Sequence, residues 1–238
     1  MKVVVDPIPV QLILEEFMRT SNARGLREAD VARLVEACRP LIEPKAVYTF
    51  LKVVSIDGDE VSLSSGHTFK SIILSDMLKI EQTVAPYAVT IGPKLENYIS
   101  ENAKGSILKA WIMERIGDYA LEKAAAHVRS LIEKGLGGSA TSFGPGTGTG
   151  KLFGIEQQEV LFRILDPPRN IGVHLTSSYL MVPRKSVSGV LAATGKGYVA
   201  CQYCPRERCE NRRKPFGGEY FAFKCKIKDL KNDVKEHH

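Results

Sequence analysis

Tyr87-Ala88-Val89-Thr90-Ile91-Gly92-Pro93 runs straight into the longest helical pattern of the chain, over about residues 94–134. The first stretch is apolar and β-branched and closes on Gly-Pro, so it reads as a buried strand ending in a turn. In the second, Ile107, Trp111, Ile112, Ile116, Tyr119, Ala124 and Val128 recur at helical spacing and form one apolar stripe. A break is expected near Asn102–Gly105, and Gly135, Gly137 and Gly138 terminate the pattern. Upstream, Ile8, Val10, Leu12, Ile13, Phe17 and Met18 predict a helix over residues 8–20, stopped near Gly25. A second helix is expected over Glu28–Cys38, ended by Arg39-Pro40. Val47–Val54 reads as a strand, Ile56–Glu60 as a hairpin turn and Val61–Leu63 as the returning strand. Phe69–Ile73 leads into a short helix around Ser75–Leu78. Downstream come a Gly/Thr/Ser loop over 139–151, a helix over Gln157–Leu165 stopped by Asp166-Pro167-Pro168, and strands at 172–175, 180–182, 187–192 and Tyr220–Lys224. There is no internal repeat and no regular βαβ series. The order predicts an α+β fold with an antiparallel or mixed twisted sheet and long helices. Residues 1–198 read as one domain and 199–238 as a Cys-rich segment.

Composition narrows the classes. An apolar share of 44% over 238 residues is enough for a core, so the chain is not disordered. No run reaches the roughly 18–20 apolar residues of a membrane span. Met1–Val5 meets Asp6 and Pro7 too early to form the apolar region of a signal peptide. A cytoplasmic protein is expected, in a compartment where disulfides are rare. The net charge of +6 is mild and partly local, in Arg206, Arg208, Arg212, Arg213 and Lys214. Those cations suit a phosphate, an acidic partner or a negatively charged thiolate centre. Few aromatics interleave with them and no nucleic-acid module is legible, so nucleic acid is not expected.

The cations surround the chain's densest chemistry. Cys201-Gln202-Tyr203-Cys204-Pro205-Arg206-Glu207-Arg208-Cys209 holds three thiols, and Cys225 follows. Cys201, Cys204, Cys209 and Cys225 at this spacing fit the ligands of an iron–sulfur cluster, which is favoured, or of a structural zinc. A disulfide or free-thiol cluster is the plainer alternative. Cys38 sits in an apolar helical pattern and reads as a core thiol. His67, His127 and His174 are scattered, so no His-based site is legible.

Two further segments are candidates. Gly144-Pro145-Gly146-Thr147-Gly148-Thr149-Gly150-Lys151 fails the Walker pattern, because Pro145 stands five before Gly150 and Leu152 stands where Ser or Thr would hold magnesium. What remains is a backbone that can approach a planar or polar ligand closely, or a plain connector. Thr176-Ser177-Ser178-Tyr179 and Pro183–Gly189 are dense in hydroxyls, with Arg184 and Lys185 able to hold an anion. Ordinary turn chemistry explains them equally well. Glu114, Asp118 and Glu122 share one helix face and read as a solvated row.

These residues resemble the reactivation domain of cobalamin-dependent methionine synthase, in particular its free-standing relatives in anaerobic microbes. Ile171–Gly189 is similar to that family's "L-T-E-S-x-x-M-x-P…S-V-S-G" block. Phe143-Gly144-Pro145-Gly146 stands where the family has "R-x-x-P-G-Y", and Ala88–Gly92 with its long helix is similar to the "T-x-G" strand and helix. The resemblance spans most of residues 8–200. It implies binding of S-adenosylmethionine, with Gly144, Pro145, Gly146, Thr147, Thr176, Ser177, Arg184 and Lys185 as cofactor-binding residues. It also implies a corrinoid protein or cobalamin-dependent methyltransferase as partner, and a flavodoxin- or ferredoxin-type electron donor. Only Co(I) is nucleophilic enough for methyl transfer, so a corrinoid fallen to Co(II) must be repaired; the corrinoid supplies the chemistry and the protein the positioning. This chain departs from the pattern where Ser142 replaces the loop arginine, Thr147 the tyrosine and Ser177 the glutamate. Charged groups that would clamp the amino-acid end of S-adenosylmethionine are thereby missing. The family domain lacks the cysteine segment, which implies a redox activator with its own electron relay. The alternative is a non-catalytic module for a corrinoid protein or methyltransferase, with structural zinc.

Overall fold

The computed structural model describes residues 1–21, 26–102, 106–148, 150–194, 198–209 and 212–217. The expected helix stop at Gly25, the strand Tyr220–Lys224 and Cys225 lie outside them. The elements are β1 (Val3–Val5), α1 (Leu14–Thr20), α2 (Glu28–Cys38), β2 (Lys45–Tyr48), β3 (Leu51–Asp57), β4 (Glu60–Leu63), β5 (Thr68–Lys70), α3 (Ile72–Met77), β6 (Thr83–Thr90), α4 (Lys94–Asn102), α5 (Ile107–Leu136), β7 (Thr141–Phe143), α6 (Gln158–Leu165), α7 (Pro167–Ile171), β8 (His174–Leu175), β9 (Met181–Val182) and β10 (Ser186–Ala192). This is the expected α+β class, with antiparallel strand pairs and long helices. Among the described residues no helix is long and apolar enough to cross a membrane.

The chain forms two compact units. The first comprises Met1–Thr49, Tyr87–Gly135 and Leu165–Ser188; the second comprises Phe50–Pro86, Leu136–Ile164 and the described residues from Gly189 onward.

In the first unit, β2 lies between β1 and the C-terminal half of β6, with Val47 opposite Val4 on one side and Ala88 on the other. Tyr87–Thr90 is buried throughout, which is why this stretch reads as a continuous apolar run and not as an alternation. The helical core joins Phe17 of α1, Val31 and Val35 of α2, Leu95 and Ile99 of α4, and Ile112 and Ile116 of α5. Phe17 meets the ring of Tyr119 edge-on, centroids 5.8 Å apart. The Tyr119 hydroxyl donates to Glu16 at 2.8 Å, and Lys123 pairs with the same carboxylate. Cys38 is fully buried in this core as expected, and burial pushes its thiol up to about 12.

Three expectations need correction here. The helix expected over 8–20 begins only at Leu14. Ile8 precedes Pro9, which drives it out of the helical region, so Ile8 and Leu12 reach the core from extended chain. The strand expected over Val47–Val54 breaks at Thr49 and Phe50, where the first unit gives way to the second. Asp166-Pro167-Pro168 stops α6 but also starts α7. Asp166 takes φ +52° and Pro167 occupies the first helical position, where its missing N–H costs nothing.

In the second unit, β3 and β4 form a hairpin with Asp57 opposite Glu60, turning at Gly58. β5 pairs β4, the N-terminal half of β6 pairs β3, and β7 pairs β10. Val53, Val61, Phe69, Leu74, Val84, Phe143, Phe153 and Leu161 are all buried there.

Candidate functional site

The hydroxyl-rich block belongs to the first unit. Its turn connects β8 to β9, which pair antiparallel. The Thr176 hydroxyl accepts from the backbone N–H groups of Ser178 at 3.3 Å and Leu180 at 3.1 Å, so it serves the turn. Tyr179 completes the turn at φ +61°, a conformation costly for a side chain of its size. Ser177 is exposed at the tip.

Arg184 and Lys185 follow, and carboxylates of α4 and α5 pair with them. Arg184 donates from its backbone N–H and Nε to Glu96 at 2.8 and 3.1 Å, and from its guanidinium to Glu114 at 2.9 Å. Lys185 pairs with Glu114 at 2.8 Å and with Asp118. Glu114 and Asp118, read from sequence as a solvated row, are therefore the counter-charges of this block. Burial pushes the Glu114 carboxyl up, but the hydrogen bonds and charges of Lys185 and Arg184 outweigh it and hold it below its ordinary range. Gly117 makes this approach possible: a Cβ there would lie 3.1 Å from Leu95 and 3.3 Å from the Lys185 stem.

The glycine loop belongs to the second unit, and it is tied down. Ser142, the position of the family's arginine, sits inside β7 opposite Leu191. Phe143 is fully buried and Pro145 is buried, while Gly146 and Thr147 are exposed. The Gly146 N–H donates to Phe153 at 2.8 Å, and the Thr147 hydroxyl donates to the Gly144 carbonyl at 2.7 Å. Gly146 adopts φ +77°, and a Cβ there would meet the Ile155 Cδ1 at 2.5 Å. The far anchor is Leu152–Phe153, where the Ser71 hydroxyl donates to the Leu152 carbonyl at 2.9 Å. Beyond it lies an open cleft of about 250 Å³, lined among others by Asp59, Lys70, Lys151 and Glu156, which no local motif announced.

Cys201, Cys204 and Cys209 also belong to the second unit. Ala200–Tyr203 is a 3-10 turn, with Cys201 and Cys204 half-buried and Cys209 exposed; all three are free thiols. One guanidinium organises the run. Arg212 donates to the carbonyls of Cys201 at 3.1 Å, Lys214 at 3.3 Å and Cys204 at 3.3 Å, and to that of Arg206. Of the local cations expected to meet an anion, Arg212 is therefore a structural tie. The backbone N–H of Arg213 donates to Cys201 Sγ at 3.4 Å and, against the opposing effect of burial, lowers that thiol's pKa. Thiol donors with N–H···S support suit a soft metal. Gln202 Oε1, between Cys201 and Cys204, is buried and has no hydrogen-bond partner among the described residues. Among the described residues, no three His, Cys, Asp or Glu side chains gather as a metal-binding group, so the described thiols alone do not complete a site.

The structure brings the glycine loop and the cysteine run together, a link that sequence reading missed. Phe143 stacks on Tyr198 with centroids 5.1 Å apart and planes 21° from parallel, and Tyr198 meets Tyr203 at 5.3 Å. Gly148 closes against the Ala200 carbonyl, where an added Cβ would stand 3.4 Å away. The only local clue was the aromatic inside Cys201-Gln202-Tyr203-Cys204.

Comparison with known proteins places these features. Residues 144–214 match the family described as vitamin B12 dependent methionine synthase, activation domain. No curated protein matches the chain. Among solved structures it is similar to the crystal structure of the MetH reactivation domain bound to AdoHcy, with a TM-score of 0.62 at 13% identity, covering 84% of this chain and 81% of that one. The chain thus has the fold of the MetH reactivation domain, as the sequence resemblance implied; residues 144–214, which hold the glycine loop and Cys201, Cys204 and Cys209, match the methionine synthase activation domain, so the match runs through the cysteine run that was expected to lie outside that family's domain.

Proposed function

We propose that this protein is a cytoplasmic accessory of corrinoid-dependent methyl transfer, which passes one electron to the Co(II) corrinoid of a partner methyltransferase and so returns it to Co(I). One observation carries the reading. The family match over residues 144–214 spans the glycine loop and the cysteine run, and the Phe143–Tyr198–Tyr203 stack joins the two. An iron–sulfur cluster on Cys201, Cys204, Cys209 and Cys225 would supply a one-electron carrier.

Around it this chain's residues have definite tasks. Arg212 holds the carbonyls that shape the run, and the Arg213 N–H favours the thiolate of Cys201. Exposed Arg206, Arg208, Arg213 and Lys214 present positive charge to an acidic donor of flavodoxin or ferredoxin type. The exposed Gly146 and Thr147 face the ligand. S-adenosylmethionine binds weakly in this reading, because Ser142, Thr147 and Ser177 supply no charge and a hydrogen bond to a charged group is worth about 1.5–3 kcal/mol.

A second reading keeps the fold and drops the redox step: a module that docks on a corrinoid protein, with zinc on the same cysteines. The Arg212 tie serves a structural loop of that kind equally well. Anaerobic purification followed by a visible spectrum and a metal count separates the two. Bound iron with a broad absorption that bleaches on reduction supports the redox activator; one zinc in a colourless protein overturns it in favour of the module.

A further inference from the structure

We propose that Tyr203 is a positioning residue that couples the cysteine run to the glycine loop, so that metal held by the cysteines sets the conformation of Gly144–Gly148. The inference rests on reading the cysteines as metal ligands. Tyr203 lies between Cys201 and Cys204 in one 3-10 turn, so whatever fixes both thiols fixes its backbone. Its side chain is buried and continues the column through Tyr198 to Phe143. Phe143 is the last residue of β7 and is bonded directly to Gly144, the first of the loop. The loop is gripped at its other end as well. Gly148, at φ +73°, sits where a Cβ would be 3.4 Å from the Ala200 carbonyl and 3.7 Å from Tyr203 Cβ. A shift of the 200–204 backbone therefore reaches the loop at both ends. Within the loop the described restraints that a shift must work against are the Gly146 N–H on the Phe153 carbonyl, Thr147 on the Gly144 carbonyl and the packing of Gly146 on Ile155. Packed aromatic columns move as units, because close packing leaves no slack to absorb a displacement.

Hydrogen exchange at the Gly144, Gly146, Thr147 and Gly148 amides of the full chain tests the coupling under two perturbations of the cysteines. The first is zinc alone, added after chelator treatment, with bound zinc counted. The second is alkylation by iodoacetamide, which spares Cys38 because that thiol is fully buried with a pKa of about 12. Zinc should slow exchange at these amides about tenfold, and alkylation should speed it. Tyr203→Phe should respond as the natural chain does, whereas Tyr203→Leu should bind zinc yet show neither response. Should the Leu variant fail to fold, Phe143→Leu interrupts the column at its far end. Zinc that binds without changing loop exchange overturns the coupling. Failure to retain zinc sinks the metal reading instead, and alkylation then decides the coupling by itself.

Discussion

Lys185 has 13% of its side chain exposed and stands between Glu114 and Asp118. Because the Glu114 pKa is lowered in the folded state, its contribution to stability is present above the ordinary carboxylate range and is lost as pH falls through the lowered value. Lys185→Met should cost about 1–3 kcal/mol at neutral pH, between the values for exposed and buried pairs. The cost should shrink as Glu114 takes up a proton, so urea denaturation at pH 7 and at low pH should show a narrowing gap; a gap constant with pH would contradict the pairing. At the cysteines, Lys in place of Arg212 brings a point charge that cannot serve four carbonyls. Arg212→Lys should weaken metal retention by about tenfold or more, measured as loss to a chelator. The sequence displayed these cations but not their partners. Arg184 and Glu96 are 88 positions apart, and only folding brings them together.

Among the elements, α1 meets α5 through Phe17 on the Tyr119 ring and through Glu16, which takes the Tyr119 hydroxyl and Lys123. Phe17→Ala should cost about 3–5 kcal/mol in chemical denaturation, since the ring is fully buried and leaves a cavity against Tyr119. Gly146→Val should cost about 1–3 kcal/mol, because φ +77° is closed to a β-branched residue and Ile155 occupies the space. A melt should show that loss with the rest of the molecule intact. α2 was legible to the residue: its apolar stripe is clean and Arg39-Pro40 marks its end. The helix expected at residue 8 was not, because Ile8, Val10 and Leu12 mimic helical spacing in a segment that Pro7 and Pro9 hold extended. The glycine loop read as a ligand-binding loop or a plain connector, and its ties, Phe143, Phe153 and Gly148 on Ala200, stayed hidden because they are tertiary.

For the molecule as a whole, the α+β class followed from the irregular order of elements. The interleaving of the two units did not, since the chain passes between them several times with no linker composition to mark the crossings. Three motifs pointed to the reactivation-domain fold: the strand before the long helix, the glycine loop and the hydroxyl block. Their partners across the fold became visible only in three dimensions. Electron delivery to a corrinoid is read from the anaerobic rate at which the protein-bound Co(II) cobalamin of a methionine synthase becomes Co(I), with reduced ferredoxin as the electron source. The protein should accelerate that step, and Cys204→Ser should abolish the acceleration while leaving the fold intact by circular dichroism. An undiminished rate with Cys204→Ser, or no acceleration by the natural chain, would contradict the account.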